Sequence, residues 1–146
     1  MTANKTVHVL LVEDSETQAL LVKTIIDRVE GLELLATAVD GVDALEYLRA
    51  EGEHGKATVP DVVLLDINMP RKDGFEVLTE MKADPKLKKI PVVMLTTSKE
   101  EEDVVKSYEH GAATFISKPI ELPDLEQIFS QFANYWSCAA RLPSHG

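Results

Sequence analysis

Five short apolar runs punctuate this chain, at residues 8–12, 32–39, 61–65, 92–95 and 114–117. They are rich in Val, Leu and Ile and are bounded by turn residues. Continuous apolar runs of this kind suit strands buried on both faces, as in parallel sheets. Between them the apolar positions take up a helical period. Val22, Ile25, Ile26 and Val29 recur at i, i+3, i+4 and i+7, and Ser15-Glu16-Thr17-Gln18 reads as the capping box that starts this first helix. Ala44, Leu45 and Leu48 predict a second helix. Phe75, Leu78 and Met81 predict a third, ended by Asp84-Pro85, and Val104, Val105 and Tyr108 a fourth, ended by Gly111. Leu125, Ile128, Phe129, Phe132 and Trp136 predict a longer fifth.

A five-fold alternation of strand and helix predicts an α/β fold: a five-stranded parallel sheet with five flanking helices, doubly wound as (βα)5. Open sheets of this kind bind ligands beyond the carboxyl ends of their strands, near the point where strand order reverses. That rule directs attention to the residues just past each run. The first runs into Glu13-Asp14, the third into Asp66, the fourth into Thr96 and the fifth into Lys118-Pro119.

Composition narrows the picture without deciding it. A length of 146 residues suits one domain with one core, and 45% hydrophobic residues are enough to build it. No repeat or linker divides the chain, so residues 7–138 are expected to form the domain, with an extended last helix. Residues 1–6 and 139–146 are expected to be flexible ends. A net charge of -10 excludes nucleic acid as a direct partner and favours a metal cation or a basic protein surface, although solubility alone also explains an acidic chain. One cysteine, Cys138, permits no internal disulfide. The first residues are polar, and no apolar stretch approaches the roughly 18 residues of a membrane span. The expected location is the cytoplasm, away from membranes.

Three carboxylates and one ammonium at one sheet edge have two physical uses: holding a hard divalent cation and accepting a phosphoryl group. Mg²⁺, or Mn²⁺, takes oxygen ligands in octahedral geometry. Asp14 and Asp66 can supply carboxylate oxygens, Glu13 can hold a metal-bound water, and the backbone carbonyl of Asn68 can add a further oxygen. Asp66 becomes a competent nucleophile only when a cation offsets its acidic neighbours. Lys118 offers a compact charge for Asp66 or a phosphoryl oxygen, and Thr96 a hydroxyl donor. Each residue taken alone has a plainer reading as a helix cap or strand exit. Thr96-Thr97-Ser98, for instance, could merely cap the helix opened by Glu100-Glu101-Glu102-Asp103. Four strand ends carrying this set together favour the site.

At this point the chain resembles the receiver domain of bacterial two-component response regulators, over roughly residues 7–132. The resemblance rests on Leu11-Val12-Glu13-Asp14, on Leu65-Asp66-Ile67-Asn68-Met69-Pro70 with Asp73-Gly74, on Leu95-Thr96-Thr97-Ser98, on Gly111-Ala112 and on Lys118-Pro119. It implies a flavodoxin-like fold, with Asp66 as phospho-acceptor and Glu13 and Asp14 as the acidic metal pair. It further implies that Asn68 lends its carbonyl to the metal, that Thr96 and Phe115 are the switch pair, and that Lys118 binds the phosphoryl group. The bond between Lys118 and Pro119 matches one the family usually holds in cis. Thr97 stands where the family often has Ala, and its branched side chain is expected to slow loss of phosphate. Phe115 read without the resemblance is a plain core aromatic.

The implied role is a signalling switch and not an enzyme. It would be phosphorylated by a sensor histidine kinase and would act on a downstream protein of unknown identity, with no effector domain of its own expected. The segment 51–55, Pro70-Arg71-Lys72-Asp73-Gly74 and the Trp-containing C-terminal stretch are similar to small regulators paired with bacterial phytochromes. Those imply a bacteriophytochrome as the kinase and a homodimer through the fourth- and fifth-helix face. Phe129, Phe132 and Trp136 form one stripe, with core packing as its simpler use. A haloacid-dehalogenase-type phosphatase, a dinucleotide-binding domain and a receiver-like module that only binds partners are the alternatives. The first lacks its second Asp, because Asn68 stands there. The second lacks a Gly-x-Gly-x-x-Gly after the first run. The third would have lost Asp66, Asp14 or Lys118, and all three are present.

Overall fold

The alternation read from the sequence becomes ten elements in a computed structural model that describes residues 6–50, 58–117 and 122–136. In chain order they are β1 (Val7–Val12), α1 (Glu16–Arg28), β2 (Leu32–Ala38), α2 (Gly41–Leu48), β3 (Val62–Leu65), α3 (Gly74–Ala83), β4 (Val92–Thr96), α4 (Glu101–Glu109), β5 (Thr114–Ser117) and α5 (Leu122–Asn134). The strands pair in parallel in the order β2-β1-β3-β4-β5. Strand order reverses at β1, which has β2 on one side and β3 on the other.

The side-chain period of two divides the core into two layers. Val9 and Leu11 of β1, Val62 and Leu64 of β3, and Val93 and Leu95 of β4 pack with Ile25 and Ile26 of α1 and with Leu125 and Phe129 of α5. Their neighbours Leu10, Val12, Val63, Leu65, Val92 and Met94 pack with Ala44, Leu45, Leu78 and Met81 on the opposite face. Burial on both sides explains why β3 is apolar at every position. Each fully buried Leu, Ile or Val side chain contributes about 1.5–3 kcal/mol against the entropy of ordering it.

The helix over the sheet edge is less deeply packed than the others. The stripe predicted for the fourth helix does not enter the core: Val105 is 46% and Tyr108 49% exposed, and only Ser107 of α4 is buried. The helix lies over β5, the edge strand, whose residues are themselves only partly covered. The aromatic stripe of α5 takes the simpler use, core packing. Phe129 is in the core, Phe132 and Trp136 pack partly against it, and Tyr135 is 57% exposed. Among the described residues, no helix is long and apolar enough to cross a membrane.

Helix starts follow short polar side chains. Ser15 accepts from the Gln18 N–H at 3.3 Å, Asp40 from Asp43 at 2.8 Å and Asp73 from Glu76 at 2.9 Å. The fourth helix departs from this pattern. Its N-cap is Glu100, which makes no side-chain cap bond. Ser98, two residues earlier, accepts from the Glu100 N–H at 3.3 Å and donates to Asp103 at 2.6 Å.

Candidate functional site

Register alone brings the acidic residues together. Val12 pairs with Leu65, so the residues that follow β1 and β3 leave the sheet side by side at the strand reversal. The Asp66 N–H continues the ladder to the Val12 carbonyl at 3.1 Å, and the Glu13 N–H does the same to Ala38 at 2.9 Å. Glu13 is buried, Asp66 half-buried and Asp14 exposed. One carboxylate oxygen from each of the three lies within 4.8 Å of the others.

Such crowding of like charge is unfavourable by itself. Two unit charges about 5 Å apart repel by roughly 3 kcal/mol at an effective permittivity near 20. No described Lys, Arg or His lies within ion-pair distance of Asp14 or Asp66. The donor set says which cation the cluster suits. Three hard oxygens with no nitrogen or sulfur fit Mg²⁺ or Mn²⁺ and do not fit a structural zinc.

Asp66 is held by its own loop. Its Oδ1 accepts from the Ile67 N–H at 2.8 Å, and the loop closes where the Gly74 N–H meets the Ile67 carbonyl at 2.7 Å. A Cβ on Gly74 would lie 2.3 Å from the Asp66 carbonyl oxygen, so this approach requires glycine. Asn68 is an exposed residue of the same loop.

The remaining predicted residues gather on the β4–β5 side. Thr96 ends β4, is fully buried and accepts from the Ser98 N–H at 3.3 Å. It stands in register with Ser117, whose hydroxyl donates to the Ser98 carbonyl at 3.0 Å. Phe115 pairs with Met94 and packs half-buried against the layer that contains α2 and α3. Lys118 and Pro119, and the segment 51–55, lie outside the described residues.

One pair has no signal in the sequence. Arg71 sits in the loop after Asp66 and grips Asp40, the N-cap of α2, through two hydrogen bonds: Nε to Oδ2 at 2.7 Å and Nη2 to Oδ1 at 3.1 Å. Nothing in the sequence near Arg71 marks it as the partner of Asp40, which lies 31 residues away. Burial raises the Asp40 carboxyl. The Arg71 hydrogen bond and charge and the Asp43 N–H outweigh burial, and the group titrates below its ordinary value. A depressed folded-state value stabilises the fold above the unfolded-state value, and that contribution is lost as pH falls through the folded one. The stability deficit of Arg71→Ala, read from urea midpoints, is therefore expected to hold from about pH 7 to about pH 5 and to shrink below about pH 4. A deficit that persists undiminished in acid would show that the ion pair is not its source.

Known proteins share the fold. A family model of the response regulator receiver domain matches residues 9–130. The response regulator Rcp1 of Synechocystis sp. is 39% identical over 136 residues, which span 93% of this chain and 92% of that protein. The phosphorylated cyanobacterial phytochrome response regulator RcpA superposes with a TM-score of 0.85 at 41% identity, covering 95% of this chain and 99% of that one. The Mn²⁺-bound form of Rcp1 does so with a TM-score of 0.82 at 39% identity, covering 94% and 99%. Five parallel strands wound on both sides, an acidic cluster at the strand reversal and a family match over most of the length agree: the chain belongs to the response regulator receiver domains.

Proposed function

We propose that this receiver accepts a phosphoryl group on Asp66 from a sensor histidine kinase and that it works in a phytochrome light-signalling pathway. The observation that carries the chemistry is the convergence of Glu13, Asp14 and Asp66 within 4.8 Å at the strand reversal. The pathway rests on likeness to Rcp1 and to the phytochrome response regulator RcpA. Membership of the receiver family favours this reading over the phosphatase and dinucleotide-binding alternatives.

Glu13, Asp14, Asp66 and the Asn68 carbonyl are the residues that would hold Mg²⁺ or Mn²⁺. The bound cation supplies charge compensation for the carboxylates and for the incoming phosphoryl oxygens. The Asp66 carboxylate attacks phosphorus as the phosphorus–nitrogen bond to the kinase histidine breaks, and the imidazole leaves with the bonding pair. An acyl phosphate then carries about two negative charges where one stood. Lys118 is assigned to a phosphoryl oxygen. Thr96 is assigned to donate its hydroxyl hydrogen to another, giving up the Ser98 N–H it now accepts. Space left by Thr96 is assigned to the Phe115 ring, which is half-buried and packs against the layer that contains α2 and α3.

Output through the α4–β5–α5 face, as a homodimer or against a downstream protein, is supported by its exposed apolar side chains, Val105, Tyr108 and Tyr135. Incubation with acetyl phosphate and Mg²⁺, or with a phytochrome kinase, tests the proposal. The expected result is one phosphorylated carboxylate per chain, at Asp66, that accumulates. Thr97 is exposed beside the switch hydroxyl, and Thr97→Ala is expected to shed the phosphate faster. Steady release of phosphate without an accumulated acyl phosphate would overturn the reading.

A further inference from the structure

We propose that Arg71 and Asp40 form a positioning clamp that fixes the loop after Asp66 in the geometry needed for cation binding. The proposal rests on the reading of the acidic cluster as a divalent-cation site and extends it to residues that do not touch the cation.

Backbone and side-chain observations converge on the clamp. Arg71 has a φ of 65°, a left-handed conformation uncommon for a side chain of this size. The Lys72 N–H donates to the Pro70 carbonyl at 2.8 Å across it, which closes a tight three-residue turn. Strain of this sort persists only where the surroundings over-determine it, and it gathers at functional sites. The surroundings here are explicit. Arg71 presents its planar fork to a buried carboxylate that is also tied to the Asp43 N–H.

The backbones meet as well as the side chains. A Cβ on Gly41, next to Asp40, would lie 2.4 Å from the Lys72 carbonyl oxygen, so the turn after β2 and the loop after β3 are in direct contact. Lys72 also pairs with Glu80, which anchors the far side of the loop to α3.

The turn after β2 is bonded to the other half of the cluster too. Ala38, two residues before Asp40, accepts from the Glu13 N–H at 2.9 Å. The segment 38–40 therefore holds the Glu13-Asp14 loop by its backbone and the Asp66–Asp73 loop by Arg71. Distances between oxygens on the two loops depend on this shared anchor. A cation that demands near-octahedral geometry is sensitive to such spacing, and residues that orient ligands without touching the metal typically alter affinity by about 10–100-fold.

The test is Mn²⁺ titration of the full chain by calorimetry, with circular dichroism as the check on folding. Arg71→Gly removes the fork while allowing a positive φ, and is expected to fold and to bind Mn²⁺ about 10-fold more weakly. Asp40→Asn is expected to do the same, and the double variant no worse than the weaker single one, because the two residues act as one unit. In acetyl phosphate labelling, the Mn²⁺ concentration for half-maximal rate is expected to rise while the plateau rate is kept. Mn²⁺ affinity equal to wild type in folded Arg71→Gly overturns the clamp and leaves the cation site standing. So does a lowered plateau with an unchanged half-maximal concentration. Wild-type protein that binds no Mn²⁺ overturns the cation site and the clamp with it.

Discussion

Asp66→Asn is expected to abolish phosphoryl labelling while leaving the fold intact. An amide oxygen is a far weaker nucleophile than a carboxylate and cannot form a stable acyl phosphate, so the effect on labelling is all or none and not a partial slowing. The substitution preserves shape. The amide oxygen it introduces would keep the 2.8 Å bond from the Ile67 N–H that now reaches Asp66 Oδ1. It also removes one of three crowded negative charges, whose mutual repulsion is unfavourable in the absence of a cation. Without Mg²⁺ the melting temperature is therefore expected to stay level or rise, and its increase on adding Mg²⁺ to be smaller than in wild type, because a ligand oxygen has lost its charge. Intact-mass measurement after acetyl phosphate treatment, with peptide mapping, reads the first expectation, and thermal melts with and without Mg²⁺ read the second. Label that persists at this position in the variant would sink the assignment of the acceptor.

Gly74→Ala carries the opposite expectation: a large loss of stability from one methyl group. The added Cβ would fall 2.3 Å from the Asp66 carbonyl oxygen and 2.9 Å from the Ile67 Cα, both backbone atoms that cannot rotate aside. Relief requires shifting either the start of α3 or the loop, at about 3 kcal/mol, the upper part of the range for overpacking. For a domain of this size that lowers the melting temperature by roughly 10 °C. The Gly74 N–H bond to Ile67 would lengthen with the shift, and Asp66 would move with its own carbonyl. Labelling is thus expected to slow in whatever fraction remains folded. A melting temperature within about 2 °C of wild type would show that the loop yields freely and that the glycine is not needed for the close approach.

Both expectations concern a loop whose content is legible in the sequence and whose shape is not. The run ending at Asp66 is apolar at every position because β3 is buried on both faces, and that much follows from residue type and period. Glu13, Asp14 and Asp66 stand out as a group because parallel strands bring their carboxyl ends to one edge, and the Val12–Leu65 register does so. Thr96 and Phe115 also fall where β4 and β5 place them. The fourth helix is legible as a helix, but its depth of burial is not. Val104, Val105 and Tyr108 have the spacing of a buried stripe, but spacing cannot tell a helix over the sheet centre from one over its edge. The pairing of Arg71 with Asp40 escapes notice because a lone arginine in a loop has no periodicity, and its partner lies 31 residues away in the chain.

What the sequence determined by itself is the set of local facts: element types and order, the helix cap at Ser15, and the chemistry available at each strand end. These follow from side-chain period and short-range hydrogen bonding, which neighbours in the chain settle between them. Tertiary structure alone decided the distances: three carboxylate oxygens within 4.8 Å, a glycine pressed against the Asp66 backbone, and an arginine fork closed on the N-cap of another helix. Strand order and register set these separations, and both are properties of the sheet as a whole. A carboxylate becomes a cation site only when others stand beside it, and that juxtaposition exists only once the strands have paired.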